Sequence, residues 1–231
     1  MTKLEILNKA KYIQFPYKNQ TFKDYSKYKI NVNRLPLLEF NTLYNLMPTN
    51  NHHYTMHYHI NYVLPLINKL FDFGYDTNDF ELIEYKHKYG DLSYLRPKKD
   101  FRFEATCFTD DTKENLSFED LKPIDKNNVS YRDFYRFPHK CSRIINLDLD
   151  NSRKIFISGD SQSIPDIPIL ACYYKEVWYF DNRTGRSPDW SSIDIKKTKS
   201  FNNFYKNIIF NDVLIQLYTN PLWWYTKVNL M

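Results

Sequence analysis

Cysteine is too scarce and too scattered in this chain to hold a fold together. The three residues, Cys107, Cys141 and Cys172, are odd in number, and no two form a C-x-x-C pair. That excludes a disulfide framework and leads us to expect a reducing compartment, with each cysteine acting as a small buried hydrophobe. Long apolar runs are missing as well. None approaches the roughly 20 residues that a membrane helix needs, and the opening "MTKLEILNKAKYIQFPYKNQ" lacks the apolar core of a signal peptide. The expectation is a soluble, cytoplasmic protein with no membrane span. Positive charge is present but not concentrated: the formal net charge is +5, with lysines interspersed among acids. Without a dense basic stripe, nucleic acid is not an expected partner. Glycine is sparse too. Gly74, Gly90, Gly159 and Gly185 are the only four, so each marks a place in the chain.

What is present is apolar and aromatic. Hydrophobic residues make up 42% of the 231 positions, ample for the core of a single domain spanning 1–231. Aromatics reach 18%, mostly 20 tyrosines and 17 phenylalanines. Flat side chains in such number suit clefts where sugar rings or nucleobases stack.

Along the chain, Val63, Leu66, Ile67, Leu70 and Phe71 recur at helical spacing. Pro65 fits only a first turn, so this helix is expected to begin near Val63, with Gly74 as its stop. "FELIEY" (80–85) and "FRFEATCF" (101–108) read as strands, and "KYGDLSYL" between them as a turn at Gly90. Residues 109–153 are polar and aperiodic, an irregular excursion that must carry short elements. The last third is regular. "KIFI" (154–157), "EVWYF" (176–180) and "DVLIQLY" (212–218) read as strands, with helices over "IPILACYY" (167–174) and "SFNNFYKNIIF" (200–210). Alternation of this kind predicts an α/β fold with a central, mainly parallel sheet. Active groups in such sheets gather at the carboxyl ends of the strands. Ser161, Asp181 to Arg183 and Asn220 follow the three strands, and so share one edge.

A serine needs a base to become a nucleophile, and histidine is the usual one. None of the six histidines follows Ser161. Four of them, His52, His53, His57 and His59, lie in "NHHYTMHYH", just before the expected helix. A cluster of this spacing could alternatively begin a metal site, completed by Asp72, Asp76 or His139. A third reading is an exposed polar loop, with Gly159-Asp160-Ser161 merely a turn. Trp223 and Trp224 read as packing residues.

"YTMHYHIN" (54–61), "YGDLSYL" (89–95), "ISGDSQ" (157–162) and "KEVWYFDNR" (175–183) occur in an order that resembles the DHHW and alginate O-acetyltransferase group of the SGNH hydrolases. In that group a Y-x-x-D-x-H-W-N segment opens a helix, and a G-D-S or G-x-S serine follows a buried strand roughly a hundred residues on. Tyr54, His59 and Asn61 match, and Ser161 follows His59 by 161 − 59 = 102 residues. The family's aspartate and tryptophan fall on His57 and Ile60. A histidine cannot stabilise an imidazolium as a carboxylate does. The resemblance therefore leaves three options: another acid orients His59, His57 is the base, or the site binds without turnover. It implies an SGNH-like three-layer sandwich in which Ser161 attacks an acyl carbonyl and His59 takes its proton. It places Arg183 near substrate or oxyanion, with Tyr54 as a further contact; Gln162 and Asn220 are candidates from their position alone. The implied activity is O-acetyl transfer or de-esterification of a carbohydrate, such as a surface polysaccharide or its precursor, without a cofactor. The acyl donor could come through a membrane-bound partner. The alternatives are a catalytically degenerate glycan-binding relative and a metal-dependent hydrolase.

Overall fold

Two apolar runs at the N-terminus and three in the last third of the sequence assemble into one sheet. The computed structural model describes residues 1, 3–16, 22, 24, 30–36, 54–87, 90–107, 117–121, 141–159, 162–181 and 208–217. Its strands are β1 (Lys11–Gln14), β2 (Val32–Arg34), β3 (Phe80–His87), β4 (Gly90–Pro97), β5 (Phe103–Cys107), β6 (Ser117–Leu121), β7 (Cys141–Asn146), β8 (Lys154–Gly159), β9 (Glu176–Asp181) and β10 (Asp212–Leu217). Eight of them form a sheet in the order β2-β1-β10-β8-β9-β7-β5-β6. From β2 through β9 every pairing is parallel, and from β9 outward every pairing is antiparallel. The fold is α/β with a mixed sheet, and the three strands expected in the last third lie side by side in parallel. The expected excursion at 109–153 carries two strands, β6 and β7, which extend the sheet. Neither showed an apolar alternation long enough to read from the sequence.

Strand periodicity explains the layers, because successive side chains point to opposite faces. Ile155 and Ile157 of β8, Leu214 of β10 and Tyr179 of β9 face one layer. Phe156, Val213, Ile215 and Trp178 face the other, with Ile6 from α1 (Lys3–Lys9) and Phe210. The first layer is built from α2 (Met56–Tyr58), a π-helical turn (His59–Val63), α3 (Leu64–Phe71) and α4 (Asp166–Ala171). Val63, Ile67, Phe71, Ile167 and Leu170 fill it. Each fully buried side chain of this kind stabilises the fold by about 1.5–3 kcal/mol.

As expected, α3 begins at Leu64 with Val63 as its N-cap and Pro65 in its first turn; the short α2 and the π turn that precede it were not foreseen. Proline lacks the N–H that a continuous α-helix would need there, and a wider turn just before it lets α3 start anew with Pro65 in its first turn. The stop comes earlier than Gly74. Asp72 adopts the left-handed conformation at φ 48°. The Asn68 side-chain oxygen Oδ1 accepts from the N–H groups of Phe73, Gly74 and Tyr75, at 3.0–3.1 Å, which closes the helix end. Gly90 likewise opens a strand instead of a turn: β3 and β4 pair antiparallel as a separate two-stranded sheet. The expected helix at 200–210 lies largely outside the described residues, and 208–210 are not helical.

Candidate active site

Polar groups are rare in the core, and they are not scattered. Apart from Asn146 and Glu176, the buried polar residues Gln14, His59, Ser158, Gln162, Ser163, Asp166 and Gln216 belong to the carboxyl ends of the parallel strands or to the elements over them. Burial of this kind is costly unless partners are supplied. At its centre are three side chains from three elements. His59 is the first residue of the π turn, Asp166 the first residue of α4, and Gln216 lies near the end of β10.

His59 and Asp166 are each 0% exposed, and Nδ1 of the imidazole lies 2.7 Å from Asp166 Oδ1. Gln216 Nε2 donates to the other carboxylate oxygen at 2.8 Å. Both Asp166 oxygens thus have a nitrogen partner, and Oδ2 accepts from an amide N–H. A carboxylate can only accept, so Nδ1 carries the ring proton and Nε2 is left as the acceptor. Nε2 is buried and has no hydrogen-bond partner among the described residues. An imidazole held by a carboxylate at one nitrogen, with the other free to accept, is equipped to remove a proton from a neighbouring hydroxyl.

The surroundings of His59 are otherwise aromatic. The Phe15 ring lies 6.1 Å from that of His59, and Tyr54 stacks on Tyr58 at 4.2 Å. Tyr58 is pushed well above the usual phenol range by burial first and by Tyr62 second. Tyr75 is raised too, by burial first and then by the charges of Asp166 and Asp76.

Of the residues expected from sequence, the structure brings His59, Gln162 and Tyr54 together. Gln162 is 1% exposed, and its Oε1 accepts from the Tyr54 backbone N–H at 3.0 Å. This bond ties the segment after β8 to the start of the helix that carries His59. Tyr54 is a packing residue and not a cleft residue, since its ring is buried and its hydroxyl donates to Pro16 O at 2.8 Å. Tyr12, Tyr174 and Tyr179 are buried as well, so these tyrosines serve the core and offer no sugar-stacking face. His57 is only half-buried. Ser161, Arg183 and Asn220 lie outside the described residues, as do His52, His53, His139, Trp223 and Trp224. Gly159 and Gln162, on either side of the 160–161 pair, are buried at the carboxyl end of β8.

Among the described residues, no group of three histidine, cysteine, aspartate or glutamate side chains is placed to hold a metal. Cys172, at the carboxyl end of α4, is free and buried among Met56, Leu64, Phe80 and Phe101, and burial pushes its thiol up to about 12. No described helix is long and apolar enough to cross a membrane.

Sequence reading missed Asp166. The sequence left open that another acid orients His59 but did not name it, because the two prolines of "SIPDIP" mark only where a helix starts. The available signal was a lone acid at the head of a helix that is otherwise apolar. Such a charge needs a buried partner.

No family model matches the chain, and no curated protein matches its sequence. Solved structures do match its fold. A DHHW family protein from Eubacterium siraeum DSM 15702 superposes with a TM-score of 0.60 at 14% identity, over 94% of this chain and 80% of that one. Bacillus cereus PatB1, solved with a sulfonyl adduct, gives 0.57 at 17% identity, over 93% and 81%. A second PatB1 structure gives 0.57 at 16%, over 93% and 84%. The chain thus shares its α/β fold with a DHHW protein and with PatB1.

Proposed function

We propose that the protein performs serine-dependent ester chemistry, O-acetyl transfer or de-esterification, on a carbohydrate such as a surface polysaccharide or its precursor. The observation that carries this reading is the buried imidazole of His59, held at Nδ1 by Asp166 with Nε2 left to accept, on the edge where β8 ends and Ser161 follows. Two further findings support it. The fold is that of a DHHW protein, and the similar PatB1 structure carries a sulfonyl adduct. The choice of a carbohydrate is what the resemblance carried by the sequence motifs implies.

In this reading Ser161 Oγ attacks the acyl carbonyl carbon as its proton passes to His59 Nε2. A tetrahedral oxyanion forms, held by the serine's backbone N–H and a neighbouring donor, with Arg183 and Asn220 proposed on the substrate side. His59 returns the proton to the departing alkoxy oxygen, the C–O bond breaks, and an acyl-serine remains. Water or a sugar hydroxyl then attacks that ester, giving its proton to His59, and the same steps in reverse free Ser161. A membrane-bound partner could supply the acyl group. The sequence argument for a non-catalytic relative was the lack of a carboxylate for His59, and Asp166 weakens it.

The test is acetyl-ester hydrolysis and labelling by a fluorophosphonate probe, in wild type and Ser161→Ala. Wild type should turn over and take up label, and Ser161→Ala should do neither. A wild type that does neither would overturn the reading.

A further inference from the structure

The acid that orients the histidine comes from an unexpected part of the chain. The motif that Tyr54, His59 and Asn61 resemble keeps it two residues before the histidine, where this chain has His57. Asp166 lies 107 residues away from His59 in sequence, at the head of α4, in the same connection that follows β8 and Ser161. We propose that Asp166 is the positioning residue for His59, with Gln216 as its clamp, an inference that rests on the serine reading above.

Three observations carry it. The 2.7 Å contact is made to Nδ1, so a proton held there leaves Nε2 as the acceptor that a base needs. The opposite tautomer would present a donor to the serine and stop the reaction. Next, Asp166 cannot swing away, because its second oxygen accepts from Gln216 Nε2 and its backbone N–H donates to Ser163 O at 3.1 Å. Gln216 is itself fixed by β10, which pairs in parallel with both β1 and β8. Finally, the aspartate and the imidazole are both fully buried, so no water competes for either end of the bond. One strand-to-helix connection would therefore supply both the nucleophile and the acid, while the other helix supplies only the base. Position 57 is released from the requirement for a carboxylate, which accounts for a half-buried histidine there.

The experiment compares wild type, Asp166→Asn and Gln216→Met in acetyl-ester kinetics, together with ¹⁵N-edited NMR of the His59 ring. Wild type should show the proton on Nδ1. Asp166→Asn, whose amide can donate to Nδ1, should move that proton to Nε2 and lower kcat about 10³–10⁴-fold with KM little changed. Gln216→Met keeps the acid but frees it, and should lower kcat about tenfold while melting near wild type. If Asp166→Asn fails to fold, Gln216→Met and the wild-type tautomer decide. An active wild type whose Asp166→Asn variant keeps its kcat would overturn the inference and leave the serine reading standing, and so would a wild-type ring proton on Nε2. An inactive, unlabelled wild type would remove both, and would be recognised from the wild type alone.

Discussion

Gly159 and Ser163 are packed so closely that a Cβ on the glycine would lie 1.7 Å from Ser163 Oγ and 2.8 Å from its Cβ. The glycine ends β8, and the serine begins the turn that leads into α4. Close approach, not backbone conformation, is what requires glycine here. It lets the chain fold back on the strand end, and so brings Gln162 and Asp166 under the helix of His59.

Gly159→Ala should therefore act on the site as well as on stability. The new methyl must displace Ser163 and press on Gln216 Oε1, which would lie 3.3 Å away. We expect a loss of about 1–3 kcal/mol in denaturant unfolding from overpacking. Misplacement of Asp166 should also cost ester hydrolysis on the order of 10²-fold. Gly74→Ala is the contrasting case. It has open space around it but a φ of +81°. It should lose about 1–2 kcal/mol from left-handed strain and keep full activity per folded molecule.

Arg153 is the counterpart at the opposite edge of the sheet. Its Nε donates to Asp212 Oδ2 at 2.8 Å, its Nη1 to Asp72 O at 2.9 Å and its Nη2 to Phe71 O. The guanidinium also lies 5.0 Å from the Tyr174 ring centre, and the Tyr174 hydroxyl donates to the same Asp212 oxygen at 2.9 Å. One side chain thus joins the end of α3 to the starts of β8 and β10. Removing it strands two helix-end carbonyls and a carboxylate. Arg153→Ala should cost about 2 kcal/mol, discounted for partial exposure. Arg153→Lys should recover only part of this, because an ammonium cannot reproduce the fork. Thermal melts would measure both, and kcat should be unchanged in the folded fraction because the site is at the other end of the strands.

Legibility followed the length and regularity of apolar runs. β8, β9 and β10 were readable because each is a short unbroken run buried on both faces, and they align in parallel as expected. The start of the Leu64–Phe71 helix was legible from Pro65, which does lie in its first turn, but nothing in residue spacing announces the π turn and the short helix upstream that carry His59. The hairpin at Gly90 was hidden because glycine at a strand start reads as a turn. His59 emerged from motif order, but its partner did not. Pairing across 107 residues depends on how α4 packs on the sheet, and a single sequence carries that only as a misplaced-looking acid among Ile167, Ile169 and Leu170.

Glu176 sets a pH dependence whose direction follows from its partners. Burial alone would raise its carboxyl. Hydrogen bonds from Lys154, Trp178 and Arg143 more than offset this and hold it below the ordinary value of 4.5. The bonds from Arg143 and from the Trp178 indole are each 3.0 Å. The folded protein therefore binds fewer protons than the unfolded chain as pH drops through this range. Its contribution to stability is complete above about pH 4.5, and it is lost as pH falls toward the lower folded value. Glu176→Gln should lower the melting temperature at neutral pH, by leaving Lys154 and Arg143 without their counter-charge, and should flatten its fall between neutral and acid. Asp148 is lowered in the same sense, by the hydrogen bonds from Arg102, but it lies at the surface, and its partner Arg102 is largely exposed. Asp148→Asn should change the melting curve far less, and added salt should erase that change while sparing the effect at Glu176. Melting temperature against pH, at low and high salt, separates the two. Equal salt sensitivity at both positions would mean that the cluster at the start of β9 is solvated like any surface pair.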